Sequence, residues 1–210
     1  MKQYPFILFI AFVLSFSAKA QQTWFEFDIS KKIAKNLELT IAPEFRFQEK
    51  LELKEYFMDA GLDYKIYKYI SLGAGYRLGN NIKNSGKTNT FGRFAFDAKT
   101  QYEWNNFESQ LRFRFTNSDD FADDENDKTN YLRMRLKFGY SIKKLNLKPY
   151  LAYEIYRDID EKDFTKARLE TGLMYKINKH HRVGAYFRTN NYLTKDKSVN
   201  IIGLSYQLKL

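Results

Sequence analysis

Large hydrophobic residues recur at every second position along most of the sequence after residue 22. The segment Tyr131 to Ile142, YLRMRLKFGYSI, shows this alternation most clearly. Its apolar positions are Leu132, Met134, Leu136, Phe138, Tyr140 and Ile142. Successive side chains of a β-strand point to opposite faces, so the segment predicts a strand with one apolar face and one basic face. A helix, with its period of 3.6 residues, would scatter the same hydrophobes around its axis.

The first twenty residues differ from the rest of the chain. Lys2 gives a positive start, residues 6–16 form a short apolar core, and Ala18-Lys19-Ala20 has the small-x-small form that signal peptidase accepts. These features predict a signal peptide over residues 1–20, cleaved near Ala20, and a single domain over residues 21–210. A retained N-terminal anchor is the alternative. No later segment has 18 consecutive apolar residues, so any membrane insertion there would use strands.

The alternation occurs in eleven segments. The connections between them alternate between short turns and longer polar loops. Most segments have roughly 10 to 13 residues, which is longer than strands of soluble sheets and suits a tilted membrane crossing. The pattern is typical of a transmembrane β-barrel of the Gram-negative outer membrane, antiparallel and up-and-down, with a periplasmic C-terminus. Because bacterial barrels normally have an even number of strands, we expect twelve strands, with ten as the alternative.

Aromatic residues near strand ends and prolines within strands carry further expectations. Aromatic residues there are expected to form the interfacial girdles of the barrel. This set is Trp24, Tyr56, Tyr67, Tyr69, Trp104 and Tyr192. Pro43 and Pro149 lie within strands, where proline removes a ladder hydrogen bond, and we expect a bulge or a rim position for each.

A secreted soluble barrel or sandwich, with the apolar face inward, is the alternative architecture. Such a fold would have to bury nearly all of the 19 Phe and 16 Tyr residues in one lumen. The polar face carries both signs within single strands, as in Arg93 with Asp97 and Glu108 with Arg112, which suits a charged lumen. The composition therefore favours the membrane barrel, with outer-membrane lipid and the barrel-assembly machinery as partners.

The chain resembles a known family of Gram-negative outer-membrane barrels that is described only as a domain of unknown function. The resemblance lies in Gln22-Thr23-Trp24, in the strand Pro43-Glu44-Phe45-Arg46-Phe47, in Pro149-Tyr150 with Glu154, and in the last strand. The last strand alternates to the final residue, although Leu210 stands where an aromatic residue is usual. The resemblance implies an outer-membrane location and a single barrel domain, and it implies no catalytic residues.

Residues with catalytic or metal-binding chemistry are scarce. The only histidines, His180 and His181, fall in a predicted turn, and the sequence contains no Cys and no common hydrolase or nucleotide-binding motif. We therefore expect neither an enzyme nor a bound cofactor or metal. The acidic loop of residues 117–127 is expected to be solvated, with Ca²⁺ binding as the alternative. The net charge of +10 is spread along the chain, which argues against nucleic-acid binding.

Basic residues on neighbouring strands provide the strongest functional indication. Antiparallel pairing would bring Arg112 and Arg114 opposite Arg133 and Arg135, and like charges facing each other destabilise a sheet. The predicted lumen-lining set is Arg112, Arg114, Arg133, Arg135, Lys137, Arg168, Glu44, Glu154 and Glu170. Either lumen carboxylates neutralise the cations, or the cations form an anion-attracting wall.

The predicted function is a narrow channel or binding site for small anionic solutes. The alternative is a structural or surface-interaction barrel that acts through its loops, and an envelope enzyme is the least favoured class.

Overall fold

The computed structural model describes residues 20–83, 85–120 and 129–210, which form a closed β-barrel. Its strands are β1 (Gln22–Ala34), β2 (Leu37–Phe47), β3 (Leu53–Tyr67), β4 (Ile70–Ile82), β5 (Thr88–Trp104), β6 (Phe107–Asp120), β7 (Thr129–Tyr140), β8 (Leu147–Asp158), β9 (Phe164–Lys176), β10 (His181–Tyr192) and β11 (Lys197–Lys209). Two 3₁₀ turns, Glu49–Leu51 and Lys143–Leu145, complete the regular structure. In the described part of the chain, no helix has the length and apolarity needed to cross a membrane. Apart from Ala20, the predicted signal peptide lies outside the described residues.

The barrel closes through a parallel pair of strands. Every consecutive pair of strands is antiparallel, whereas β1 and β11 run parallel, from Gln22 opposite Ile201 to Ser30 opposite Lys209. The prediction of twelve strands, or ten, in a purely antiparallel barrel is therefore wrong: the described residues contain eleven. Because each turn reverses the chain, an odd number of strands leaves the first and the last pointing the same way.

The two ends of the barrel differ in their connections. One end carries the connections at residues 35–36, 68–69, 105–106, 141–146 and 177–180 together with the final residue, and we call it the turn end. The other end, called the loop end, carries residues 48–52, 159–163 and 193–196, the last residues of β4 and β6, and the start of β1. Residues 117–120 of the predicted acidic loop belong to β6, and residues 121–128 lie outside the described part of the chain.

The apolar faces of the strands point outward and the charged faces point inward. Phe96, at the centre of β5, is 56% exposed, and large outward hydrophobes such as Met58, Leu72 and Leu136 are also exposed. In contrast, Arg133 and Glu154 are buried inside the barrel. This arrangement is the reverse of a soluble barrel and matches the polar interior and apolar exterior of a membrane barrel.

Two aromatic residues that were expected in the girdles lie inside the barrel. Trp24 is only 4% exposed and packs with Val199 and Ile201, and Tyr192 contacts the same cluster. The girdle prediction is wrong for both residues because each one is in phase with the polar face of its strand. Trp24 alternates with Phe25 and shares the inward face of β1.

The two prolines are accommodated differently. Pro43 lies opposite Met58 in an unshifted β2–β3 register, so the predicted bulge is absent. On its other side, the β1–β2 pairing is interrupted between Glu26–Glu44 and Ile29–Ile41, as expected where proline has no N–H to donate. Pro149 lies just beyond the last β7–β8 pair, Gly139 with Tyr150, which is the predicted rim position.

Candidate functional site

The arginines of β6 and β7 face one another as the sequence predicts. Arg112 lies opposite Arg135, and Arg114 lies opposite Arg133. We call these four residues the arginine ladder. Four guanidinium groups in one patch repel each other unless negative charges lie between them. A stable barrel therefore needs carboxylates close to the arginine ladder.

Glu154 of β8 is the carboxylate at the centre of the ladder. Its side chain is 1% exposed, and its Oε1 accepts hydrogen bonds from Arg112 Nη2 at 2.8 Å and Arg133 Nη2 at 2.9 Å. Its Oε2 accepts from Arg168 Nη1 at 3.3 Å and from the Tyr156 hydroxyl at 3.0 Å. One buried carboxylate thus holds three guanidinium groups from three strands, which satisfies its lone pairs on both oxygens.

Two more carboxylates hold the other two arginines of the ladder. Glu170 of β9 accepts hydrogen bonds from Arg135 Nη2 at 2.8 Å and from Arg188 Nε at 2.7 Å. Asp97 of β5 binds Arg114 through two parallel hydrogen bonds of 2.6 Å each, the bidentate geometry that arginine favours. Each arginine of the ladder is therefore bonded to a carboxylate.

Two members of the predicted lumen-lining set, Glu44 and Lys137, stand apart from these contacts. Glu44 accepts a hydrogen bond of 2.6 Å from Arg46, which also binds Glu55 at 2.9 Å. Lys137 lies with its Nζ 4.0 Å from the centre of the Tyr150 ring. Arg168 joins the ladder through Glu154 and also donates to Asn190 at 2.8 Å. The nine predicted residues thus lie on the inward faces of their strands, but they form several clusters.

Arginine and aromatic side chains alternate across the lumen toward the loop end. Arg77 Cζ lies 3.3 Å from the centre of the Phe57 ring, and Arg46 Cζ lies 4.7 Å from the same ring and 3.8 Å from that of Trp24. Arg188 Cζ lies 4.8 Å from the centre of the same tryptophan ring. The series continues through Tyr156, whose ring lies 4.4 Å from Arg133 Cζ. We call this set the cation–π layer; its members are Arg77, Phe57, Arg46, Trp24, Arg188, Arg168, Tyr156 and Arg133.

A cavity of about 240 Å³ lies in the lumen beside β2 to β5. It exists because one row of paired inward positions has almost no side chains: Thr40, Gly61, Gly75 and Ala95 lie side by side on the four strands. A Cβ added to Gly61 would meet only the Ala74 carbonyl oxygen, at 3.6 Å. Backbone atoms therefore form this wall of the cavity, and few side chains project from it into the open space.

Charged rows border this wall on both sides. Asp59, Arg77 and Arg93 form the row toward the loop end, and Asp63 and Asp97 belong to the row toward the turn end. Asp28, Lys99 and Arg114 also line the cavity, and Gln207 donates a hydrogen bond to Asp28 at 3.5 Å. Asp59 binds Arg77 through two hydrogen bonds of 2.6 and 2.7 Å, so most of these charges neutralise each other.

Arg93, Lys137 and Lys166 lie deep in the lumen and have no ion pair with any carboxylate in the described part of the chain. Lys137 and Lys166 each lie 4.0 Å from the centre of a tyrosine ring, those of Tyr150 and Tyr156. Arg93 differs because it borders the cavity, and its buried Nε has no hydrogen-bond partner among the described residues. Arg93 therefore lines the cavity with an N–H donor that no described residue accepts.

Among the residues that line the cavity, the predicted lumen-lining set contains only Arg114, although signals for others were present. Arg93 and Lys99 are in phase with the other inward charges of β5, and Gly73 and Gly75 occupy inward positions of β4. A single strand cannot show that the small residues of four strands form one row. Only the register of β2 to β5 shows this.

The two histidines have structural contacts at the turn end. His180 Nδ1 lies 2.6 Å from the Lys209 carbonyl oxygen, and His181 Nδ1 lies 2.6 Å from the Tyr206 hydroxyl. The contacts join the β9–β10 turn and the start of β10 to β11. Among the described residues, no group of three or more His, Cys, Asp or Glu side chains is arranged to hold a metal ion.

Comparison with solved structures finds outer-membrane proteins at low identity. OmpTdeltaL8, a loop-deletion mutant of OmpT from Vibrio cholerae, is 12% identical over 84% of this chain and 60% of its own, with a TM-score of 0.46. Outer-membrane expressed OmpT of the same organism is 13% identical over 79% and 56%, with a TM-score of 0.45. The anion-selective porin from Comamonas acidovorans is 11% identical over 82% and 55%, with a TM-score of 0.38. This chain therefore spans 55 to 60% of the length of these proteins.

Comparison by sequence gives the family. No curated protein matches the sequence. A family model described as "Protein of unknown function (DUF2490)" matches residues 21–200, which confirms the resemblance noted from the sequence. The chain belongs to this DUF2490 family.

Proposed function

We propose that the protein is an outer-membrane barrel that binds small anionic solutes in its lumen, and that it acts as a binding protein rather than an enzyme. The exposed apolar exterior supports the membrane location, because lipid contact makes burial of these side chains unnecessary. A closed barrel also pairs its backbone groups without leaving a free edge, as a lipid environment requires.

The observation that carries the anion-binding proposal is the position of Arg93. This guanidinium group borders the cavity of about 240 Å³ and has no carboxylate partner among the described residues. Arginine binds carboxylates and phosphates through paired N–H donors, so an unpaired arginine beside an open space suits an anionic group. The size of the cavity suits a small solute rather than a sugar chain or a peptide.

The arginine ladder contributes less to this proposal than the sequence suggests. Its four arginines already bind Glu154, Glu170 and Asp97, so their charge is largely compensated. Instead of four anion-attracting groups along a pore, anion binding would depend on Arg93, whose guanidinium group has no carboxylate partner among the described residues. Binding inside the cavity therefore has better support than conduction along the ladder.

Calorimetric titration of the purified protein in detergent tests this function. With succinate and inorganic phosphate as probes, we expect saturable binding, and we expect Arg93→Gln to weaken it by more than about tenfold, as for a lost charge-assisted contact of 1.5–3 kcal/mol. Lys148→Gln is the matched control, since Lys148 binds Glu108 at 2.6 Å and does not line the cavity. Equal affinity of the Arg93→Gln variant and the unmodified protein would contradict the proposal.

A structural lumen is the second candidate, and the neutralised arginine ladder favours it. In that case the charged interior serves only to hold the barrel together, and the loops carry any interaction. Absence of binding for both probes, together with an intact and stable barrel, is the result expected from this alternative. Folding is checked for every variant by the difference in electrophoretic mobility between heated and unheated samples.

A further inference from the structure

We infer that the solute reaches the cavity from the turn end of the barrel, and that Lys99 and Asp63 control its entry. This inference rests on the proposed binding function and adds a route to it. It follows from three observations: the lumen is filled toward the loop end, it is open toward the turn end, and one ion pair stands between the opening and the cavity.

Side chains fill the lumen between the cavity and the loop end. The cation–π layer crosses the lumen there, and its rings Trp24 and Phe57 are each 4% exposed. On the side of β5 and β6, which contribute no member to the layer, Asn89 and Thr116 are buried as well. Each of these rings contacts two guanidinium groups, so neither can move aside without losing two cation–π contacts at once. A solute entering from the loop end would have to displace this layer.

An opening of about 670 Å³ lies at the turn end. We call it the mouth; it is lined by inward side chains and turn residues that include Lys32, Lys65, Glu38, Ser71 and Lys209. Asp63 lines both the mouth and the cavity, so the two spaces meet at this residue. The polar, lysine-rich lining allows a hydrated anion to approach without losing its polar contacts.

The ion pair between Lys99 and Asp63 lies at this junction. Lys99 Nζ is 2.5 Å from Asp63 Oδ1, and the two side chains meet above β4, which separates their strands. Gly73 makes room for the pair, since a Cβ at this position would lie 2.9 Å from Asp63 Oδ1. The side chains of Lys99 and Asp63 are 21% and 35% exposed. A partly solvated pair of this kind is weakly held and can open.

The same pair supplies a preference for anions. When it opens, the Lys99 ammonium group remains beside Asp97, at 3.6 Å, while the passage past Asp63 is free. An anion at this point meets a lysine before it reaches Arg93. Lys99 is therefore assigned a role in positioning the solute at the entrance, and Asp63 a role in restricting access.

A single introduced thiol tests the route. The chain contains no cysteine, so Ala95→Cys places one thiol in the cavity. The rate of its modification by the anionic reagent 2-sulfonatoethyl methanethiosulfonate is measured in detergent, alone and with a block at either end. Ser71→Trp fills the mouth, and Asn89→Trp adds the same ring at the loop end as the matched control.

We expect Ser71→Trp to slow the modification by more than about tenfold and Asn89→Trp to change it by less than about twofold, because thiol modification depends on access. Asp63→Ser, which opens the pair and adds no bulk, is expected to accelerate it several-fold. Slowing by Asn89→Trp, or no effect of either block, would overturn the inference. If the tryptophan at residue 71 prevents folding, an unchanged rate in the Asp63→Ser variant overturns it instead.

A second measurement on the same Ala95→Cys protein tests the proposed anion binding. The cationic trimethylammonium analogue of the reagent is compared with the anionic one at the Ala95→Cys thiol. Each rate is divided by the rate of the same reagent with a free thiol in solution. Equal ratios contradict an anion-selective cavity, whereas the effects of the two tryptophan blocks still decide the route. A larger ratio for the anionic reagent, reduced by Arg93→Gln, supports anion binding in the cavity.

Discussion

At the scale of single residues, the charge balance of the lumen depends on a few buried carboxylates. Among these carboxylates, Glu154 compensates the most positive charge, because three guanidinium groups and one hydroxyl donate to it. Removing one partner from a buried ion cluster leaves the remaining charges without compensation, and the cost exceeds what the intact cluster contributes. Glu154 is thus more important to the barrel than any one arginine of the ladder.

Glu154→Gln is expected to lower the free energy of unfolding by about 3 to 5 kcal/mol, since Arg112, Arg133 and Arg168 lose their common carboxylate. Urea unfolding in detergent or lipid, followed by tryptophan fluorescence, measures the change. Glu108→Gln is the matched control: Glu108 has one ion-pair partner, the partly exposed Lys148, and a hydrogen bond from Gln101 at 3.2 Å, and the expected change is below about 1 kcal/mol. Similar losses for the two variants would contradict the central role of Glu154.

At the scale of strands, the parallel β1–β11 pair is the distinctive element. Parallel pairing is slightly weaker per residue than antiparallel pairing, so additional contacts across this seam are valuable. The Tyr186 ring of β10 lies over Gly203 of β11, where a Cβ would collide with the ring, and its hydroxyl donates to Glu26 of β1. One tyrosine therefore crosses β11 and joins the strands on either side of it.

Disulfide formation tests the seam. Ile29 and Leu208 are partners in the parallel register, so Ile29→Cys combined with Leu208→Cys is expected to cross-link within one chain on mild oxidation. In the control, Leu204→Cys replaces Leu208→Cys and moves the second thiol four residues, about 13 Å, which is beyond disulfide reach. Peptide mass spectrometry of the oxidised protein detects the cross-link. Cross-linking of the control pair alone would show a different closure of the barrel.

At the scale of the whole molecule, the barrel is organised with its apolar side outward. The ion pairs, the buried polar rows and the cavity all lie within the closed sheet, whereas Phe, Leu and Met side chains cover the outside. The same alternation in a soluble barrel would place these two sets of residues the other way round. The exterior therefore predicts how the molecule responds to a new charge.

Phe96→Arg is expected to destabilise the barrel in lipid vesicles by about 2 to 4 kcal/mol, because Phe96 faces outward at the middle of β5. Guanidinium unfolding in vesicles measures the loss. Phe164→Arg, at the loop-end start of β9, is the control, and near the membrane interface a charge costs at most about 1 kcal/mol. A soluble barrel would tolerate both exposed arginines equally, so equal stability of the two variants argues against lipid contact.

Sequence reasoning predicted the strands, their two faces and the pairing of Arg112 with Arg135 and of Arg114 with Arg133. These features are local: alternation defines the faces of a strand, and one hairpin defines the register of its two strands. The same alternation, applied strictly, also places Trp24 and Tyr192 inside the barrel. The girdle prediction for them followed residue type instead of phase.

The sequence by itself determined that this chain forms long two-faced strands with opposite charges on one face, because that information repeats every two residues. Only the tertiary structure decided three other features: the parallel closure of eleven strands, the choice of Glu154 as the centre of the arginine ladder, and the cavity beside Arg93. Each of these depends on residues from several strands lying at one level of the barrel. That level is set by the register and tilt of the whole sheet, which no single strand encodes.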